Sequence, residues 1–177
     1  MRFMSLIFVI LLRLIIPLLI FRRPLLGGVA SISIDAFDAN IVHLMGGTFP
    51  SYQQIDKFLD TYYLFLEFVV SLAWDHKIAK QTSVILFLYR VVGVILFEVT
   101  NARVFLLLFP NLFEYFFLLY LVFKRRCFDS NKVDSWSKIA LILVLLYILK
   151  LPQEYLLHYQ QVSPWLWVTR EVLPNLR

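Results

Sequence analysis

Cysteine is almost absent: Cys127 stands alone in 177 residues, which excludes an internal disulfide. It follows Lys124-Arg125-Arg126 and reads as an unmodified thiol near a membrane interface rather than a lipidated one. No Asn-x-Ser/Thr sequon occurs, so glycosylation carries no topological information. There is no internal repeat and no low-complexity tract. Charge is sparse, at 16% of residues, while 60% are hydrophobic. With a mean hydropathy of +0.76, the composition is that of a polytopic membrane protein and not of an ordinary soluble domain. The net charge of +5 does not point to nucleic acid, because the cations sit in short segments between apolar runs. There their ordinary role is to hold loops on the cytoplasmic side.

What is present is a series of apolar runs of bilayer length. The expected architecture is all-α, a single transmembrane domain over 1–177 with about six spans at 3–21, 25–45, 52–74, 83–99, 104–123 and 139–157. The first run is interrupted by Arg13 and followed by Arg22-Arg23, the reverse of a signal peptide's charge order, so it reads as a retained helix that Pro17 kinks. Gly27, Gly28, Ala30, Ser31, Ser33 and Ala36 give the second span a small-residue surface, which predicts close packing at the centre of the bundle. Asp75-His76-Lys77 with Lys80 reads as a loop, and Trp165 and Trp167 as interfacial anchors.

Four acids break this apolar background: Asp35-x-x-Asp38 and Asp56-x-x-x-Asp60. A charged side chain in the bilayer interior costs roughly 3 kcal/mol or more, so it is rarely there without a role. Offsets of three and four place each pair on one face of its own helix. A short Gly-containing turn separates the two spans, so they are predicted to be antiparallel neighbours whose acidic faces meet near one membrane surface. Asp56 and Asp60 alone would be explained as first-turn acids favoured by the helix dipole. Asp35 and Asp38, deep in an apolar run, have no such explanation. An oxygen-rich cage of this kind suits a hard divalent cation, which offsets the carboxylates' mutual repulsion.

The same residues carry a resemblance. Asp35-Ala36-Phe37-Asp38-Ala39-Asn40-Ile41-Val42-His43, then eight residues, then Tyr52-Gln53-Gln54-Ile55-Asp56-Lys57-Phe58-Leu59-Asp60, is similar to the CDP-alcohol phosphatidyltransferase signature D-x-x-D-G-x-x-A-R…G-x-x-x-D-x-x-x-D. All four acids fall in register. Arg13 and Pro17 in the first span also resemble that family's usual first helix. Ala39 and Tyr52 replace the two glycines, and Val42-His43 replaces Ala-Arg. The resemblance implies Mg²⁺ or Mn²⁺ held by Asp35, Asp38, Asp56 and Asp60, with Asp60 also the base on an acceptor hydroxyl. It implies a nucleotide beside Ala39 and His43, a CDP-linked lipid and a small alcohol as substrates, membrane lipids around the protein, and a homodimer.

Arg90 is the candidate to grip an anionic acceptor group, since a guanidinium matches phosphate geometry; the simpler alternative is an ion pair with Glu67, Glu98 or Glu114. Two further functions stay open: a membrane scaffold that kept the acids, or a metal or ion transporter that uses them as a pathway. In a six-span chain the basic turns, Arg22-Arg23, Lys77 with Lys80, and Lys124-Arg125-Arg126, lie on the side opposite the aspartates. The charge rule therefore puts the aspartates outside, whereas the family works on cytoplasmic CDP-linked substrates.

Overall fold

The computed structural model describes residues 2–44, 52–125 and 135–155; for some of these, including Asp38, Ala39, His43 and Asp56, only the backbone is described. Cys127, Trp165 and Trp167 lie outside the described residues. Among the described residues every regular element is helical. The elements are α1 (Arg2–Ile15), continued by a 3-10 helix (Ile16–Phe21), then α2 (Pro24–Leu44), α3 (Tyr52–Ser71), α4 (Lys77–Thr100), α5 (Val104–Leu108), α6 (Leu112–Arg125) and α7 (Trp136–Glu154).

Pro17 explains the change of helix type near the end of α1. It has no N–H to donate to the Arg13 carbonyl, so the α-helical ladder stops and the chain tightens into the 3-10 form. Val9, Arg13, Pro17 and Ile20 are buried at helical spacing, so this whole segment turns one stripe inward. Pro24 then opens α2, at a position where a missing N–H costs nothing.

The predicted central packing of the second span holds. A Cβ on Gly27 would stand 2.4 Å from the Ile20 backbone nitrogen, and one on Gly28 would stand 2.8 Å from Leu118 Cδ2 and 3.0 Å from Glu67 Oε1. These two glycines let α2 lie directly against the 3-10 helix on one side and against α3 and α6 on the other. An aromatic core fills the space beyond: Phe68 stacks on Phe87 at 4.3 Å, and Trp74 lies 3.9 Å from Tyr120.

Most ends shift by three residues or fewer from the sequence expectation, and two differences are larger. α4 begins at Lys77, six residues before 83, because His76 caps it: its Nδ1 accepts from the Ala79 N–H at 3.3 Å. The run 104–123 is not one helix. Pro110 divides it into α5 and α6, and Asn111 starts the second piece by accepting the Glu114 N–H at 3.5 Å while its amide donates to Glu114 Oε2 at 2.5 Å. The carbonyls left over at the break are taken up by α4: Tyr89 donates to the Leu108 oxygen, and Arg90 Nη1 donates to the Phe109 oxygen at 2.9 Å.

Two helical stretches, α4 (Lys77–Thr100) and α5 with α6 (Val104–Arg125), are long and apolar enough to cross a membrane by length and composition. Ile7–Phe21 and Pro24–Phe37 are shorter apolar helices. Beside its apolar core the chain buries several charged side chains and exposes large apolar ones. Arg13, Glu67, Arg90, Glu114 and Lys150 are buried, whereas Phe58, Val99 and Leu149 are at least 70% exposed.

Candidate functional site

Three helices build the site. α1 supplies Arg13, buried to 3%. α2 supplies Asp35 from its middle, and α3 supplies Asp60 from its third turn. One guanidinium nitrogen, Arg13 Nη2, donates both to Asp35 Oδ1 and to Asp60 Oδ1, the second at 2.5 Å. Lys57, one turn earlier on α3, adds a second cation at 3.2 Å from Asp60 Oδ2. Tyr62 on α3 donates to the Leu14 carbonyl at 3.2 Å and so ties α3 to α1 beside Arg13.

The predicted convergence of the two acidic helix faces is therefore present for Asp35 and Asp60. They meet at a single positive centre, and that centre is a residue of the chain. Two carboxylates brought this close would repel; Arg13, desolvated and planar, offsets that repulsion with charge-assisted hydrogen bonds. The side chains of Asp38, Ala39, His43 and Asp56 lie outside the described residues. Their backbones place Asp38 and Ala39 about one turn beyond Asp35 on α2, His43 about two turns beyond it, and Asp56 one turn before Asp60 on α3.

The donors fit a hard cation by chemistry, since Asp35 and Asp60 offer carboxylate oxygens to a shared point and nothing soft stands beside them. Among the described residues no three acidic, histidine or cysteine side chains gather tightly enough to hold a metal ion. The positive charges that the described pair faces are those of Arg13 and, on Asp60, Lys57.

Arg90 is buried on α4 and makes no ion pair among the described residues; its Nη1 holds the Phe109 carbonyl, and its Nε has no partner there. It lies within electrostatic reach of both Asp60 and Glu114, so it belongs to the surroundings of the site. Glu67 lies two turns past Asp60 on α3, is fully buried, and neither carboxyl oxygen has a hydrogen-bond partner among the described residues. A buried carboxyl with no partner opposes folding by about 1–3 kcal/mol. Glu67→Leu is accordingly expected to raise the thermal midpoint of the purified protein; a lower midpoint would mean that Glu67 makes a bond the fold requires.

Sequence reasoning set Arg13 aside as a feature of the resemblance, although it is the residue that joins the two acids. Its signal was available in the same physics as the aspartates': a permanent charge inside an apolar helix needs a partner. Compared with known proteins, no family model matches the chain, and no curated protein and no solved structure matches it.

Proposed function

We propose that this chain is a multi-pass integral membrane protein of about six spans that transfers a phosphatidyl-type group from a CDP-linked lipid to a small alcohol and releases CMP. The observation that carries the proposal is the meeting of Asp35 and Asp60, from two different helices, at one cationic centre. The membrane placement is supported by the large apolar side chains on the exterior together with charged side chains in the interior, an arrangement that a lipid solvent favours.

Asp35, Asp38, Asp56 and Asp60 are the residues that would hold Mg²⁺ or Mn²⁺, which when bound supplies neutralisation of phosphate charge and alignment of an in-line displacement. The chain's own residues do the rest. Asp60 takes the proton of the acceptor hydroxyl as the new oxygen–phosphorus bond forms and the bond to the CMP oxygen breaks. Arg13 keeps the Asp35 and Asp60 carboxylates together against their repulsion. Ala39 and His43 border the nucleotide, and Arg90 faces an anionic group on the acceptor.

The test is CMP release by purified protein with Mg²⁺ and CDP-diacylglycerol across a panel of alcohols. A second reading, a non-catalytic membrane scaffold, is favoured by one observation: Arg13 and Lys57, residues of the chain itself, already supply two positive charges to the acid pair. Tyr52 and His43, in place of the signature's glycine and arginine, point the same way. Silence with every alcohol, together with unimpaired folding of the Asp35→Asn/Asp38→Asn double variant, would establish that reading. Orientation is a separate check. In the transferase, Asn40→Cys in a Cys127→Ser background is expected to resist a membrane-impermeant thiol reagent in intact cells and to react after permeabilisation, against the charge rule; labelling from outside contradicts the transferase.

A further inference from the structure

At the start of α2, eleven residues before Asp35 and so about 16 Å from it along the helix, the bundle opens into a cavity of about 710 Å³. Its walls are of two kinds. Leu26, Val70 and Leu121 from α2, α3 and α6 make an apolar side, with Trp74 behind them. Arg23, Lys124 and Arg125 make a cationic rim. The rim is assembled from separate parts of the chain. Arg23 is set by the tight turn before Pro24, where its N–H donates to the Leu19 carbonyl at 2.8 Å, while Lys124 and Arg125 end α6. Among the described residues, Asp75, almost fully exposed, stands 3.5 Å from the half-exposed Lys124. Such an exposed pair contributes little and leaves the cation available.

We infer that this cavity binds the headgroup of an anionic phospholipid, with the phosphate at Arg23, Lys124 and Arg125 and the upper acyl chain against Leu26, Val70 and Leu121. Charge complementarity selects the phosphate, for which arginine's planar fork is suited. The apolar side selects a lipid over a soluble phosphate, which would leave that surface bare. Leu26, nearly half exposed, carries the apolar side outward toward where acyl chains lie. The site is independent of the aspartates and of the transfer reaction, so it stands whether or not the chain is an enzyme.

Native mass spectrometry of the full chain in nonionic detergent tests this, with phosphatidylglycerol, phosphatidylcholine or inorganic phosphate added. One phosphatidylglycerol is expected to be retained per chain, phosphatidylcholine not, and inorganic phosphate is expected not to displace it. Each cation near a lipid phosphate contributes about fivefold in affinity, so Arg23→Ala/Lys124→Ala/Arg125→Ala should weaken retention about a hundredfold. Ala73→Trp, which keeps every charge but fills the exposed edge of the cavity, should also lower retention and decides the matter should the triple variant not fold. Equal retention of the two lipids, displacement by inorganic phosphate, retention unchanged in the variants, or a lipid-free dimer that occludes the cavity would each overturn the inference.

Discussion

Asp60→Asn is expected to lower CMP release by about 10²–10⁴-fold, the range that a positioned general base contributes. The substitution keeps size and shape. Its side-chain oxygen still accepts from Arg13, so the link between α1 and α3 remains and folding should be little changed. What disappears is the capacity to take the acceptor's proton. Initial rates at saturating alcohol and CDP-diacylglycerol, with the folded fraction measured by size exclusion, separate the chemical loss from a structural one. A rate within about twofold of the parent, on well-folded protein, would remove Asp60 from the chemistry. Lys57 is a useful contrast. It pairs with the other oxygen of Asp60, and Lys57→Gln changes the charge beside the base without removing the base.

Arg13→Ala should have the largest effect on stability. Arg13 bridges the acids of α2 and α3 from α1, and its side chain is 2% exposed. Removing it takes away the guanidinium that the two facing carboxylates share, while Lys57 stays paired with Asp60. Breaking a buried pair from one side costs about 3–5 kcal/mol, and the lower end applies here because Asp35 is a third exposed. The expected result is a fall of about 3 kcal/mol in unfolding free energy measured in chelator. Millimolar Mg²⁺ should return much of that loss in Arg13→Ala and do little in Asp35→Asn. A vacated acid pair that ignores Mg²⁺ would argue that these carboxylates exist for the guanidinium alone, which is the scaffold's chemistry.

Much of this architecture can be read directly from the chain, and the exceptions have physical causes. Gly27 and Gly28 announced a close-packed α2, because small side chains in an apolar run have few other uses. The offsets within the acid pairs announced shared helix faces, and Asp35 and Asp60 do converge. The start of α4 was misplaced because Asp75-His76-Lys77 looks like a polar loop in composition. A histidine whose ring accepts a backbone N–H is a cap, and that shows only in geometry. The division at Pro110 was missed because hydropathy runs unbroken across it. Pro110 followed by Asn111 and, three residues later, Glu114 is a helix stop and restart that capping rules could have identified. Arg13 was underrated because pattern reading favours clusters, and a lone cation forms a cluster only once three helices have been assembled around it.

Under the proposed membrane placement, the division at Pro110 also bears on how the protein would match its surroundings in thickness. α6 alone, at 14 residues, rises about 21 Å, short of the roughly 30 Å of hydrocarbon that a spanning element must cover. Only α5 and α6 together make up the distance. Tyr89 and Arg90 clamp the joint between them to α4, so the two pieces act as one strut bolted to a neighbour rather than as a hinge. The protein therefore has little freedom to shorten that strut by folding at the proline. A thinner bilayer would have to be met by tilting α4, α5 and α6 as a unit, or by the lipid deforming around them.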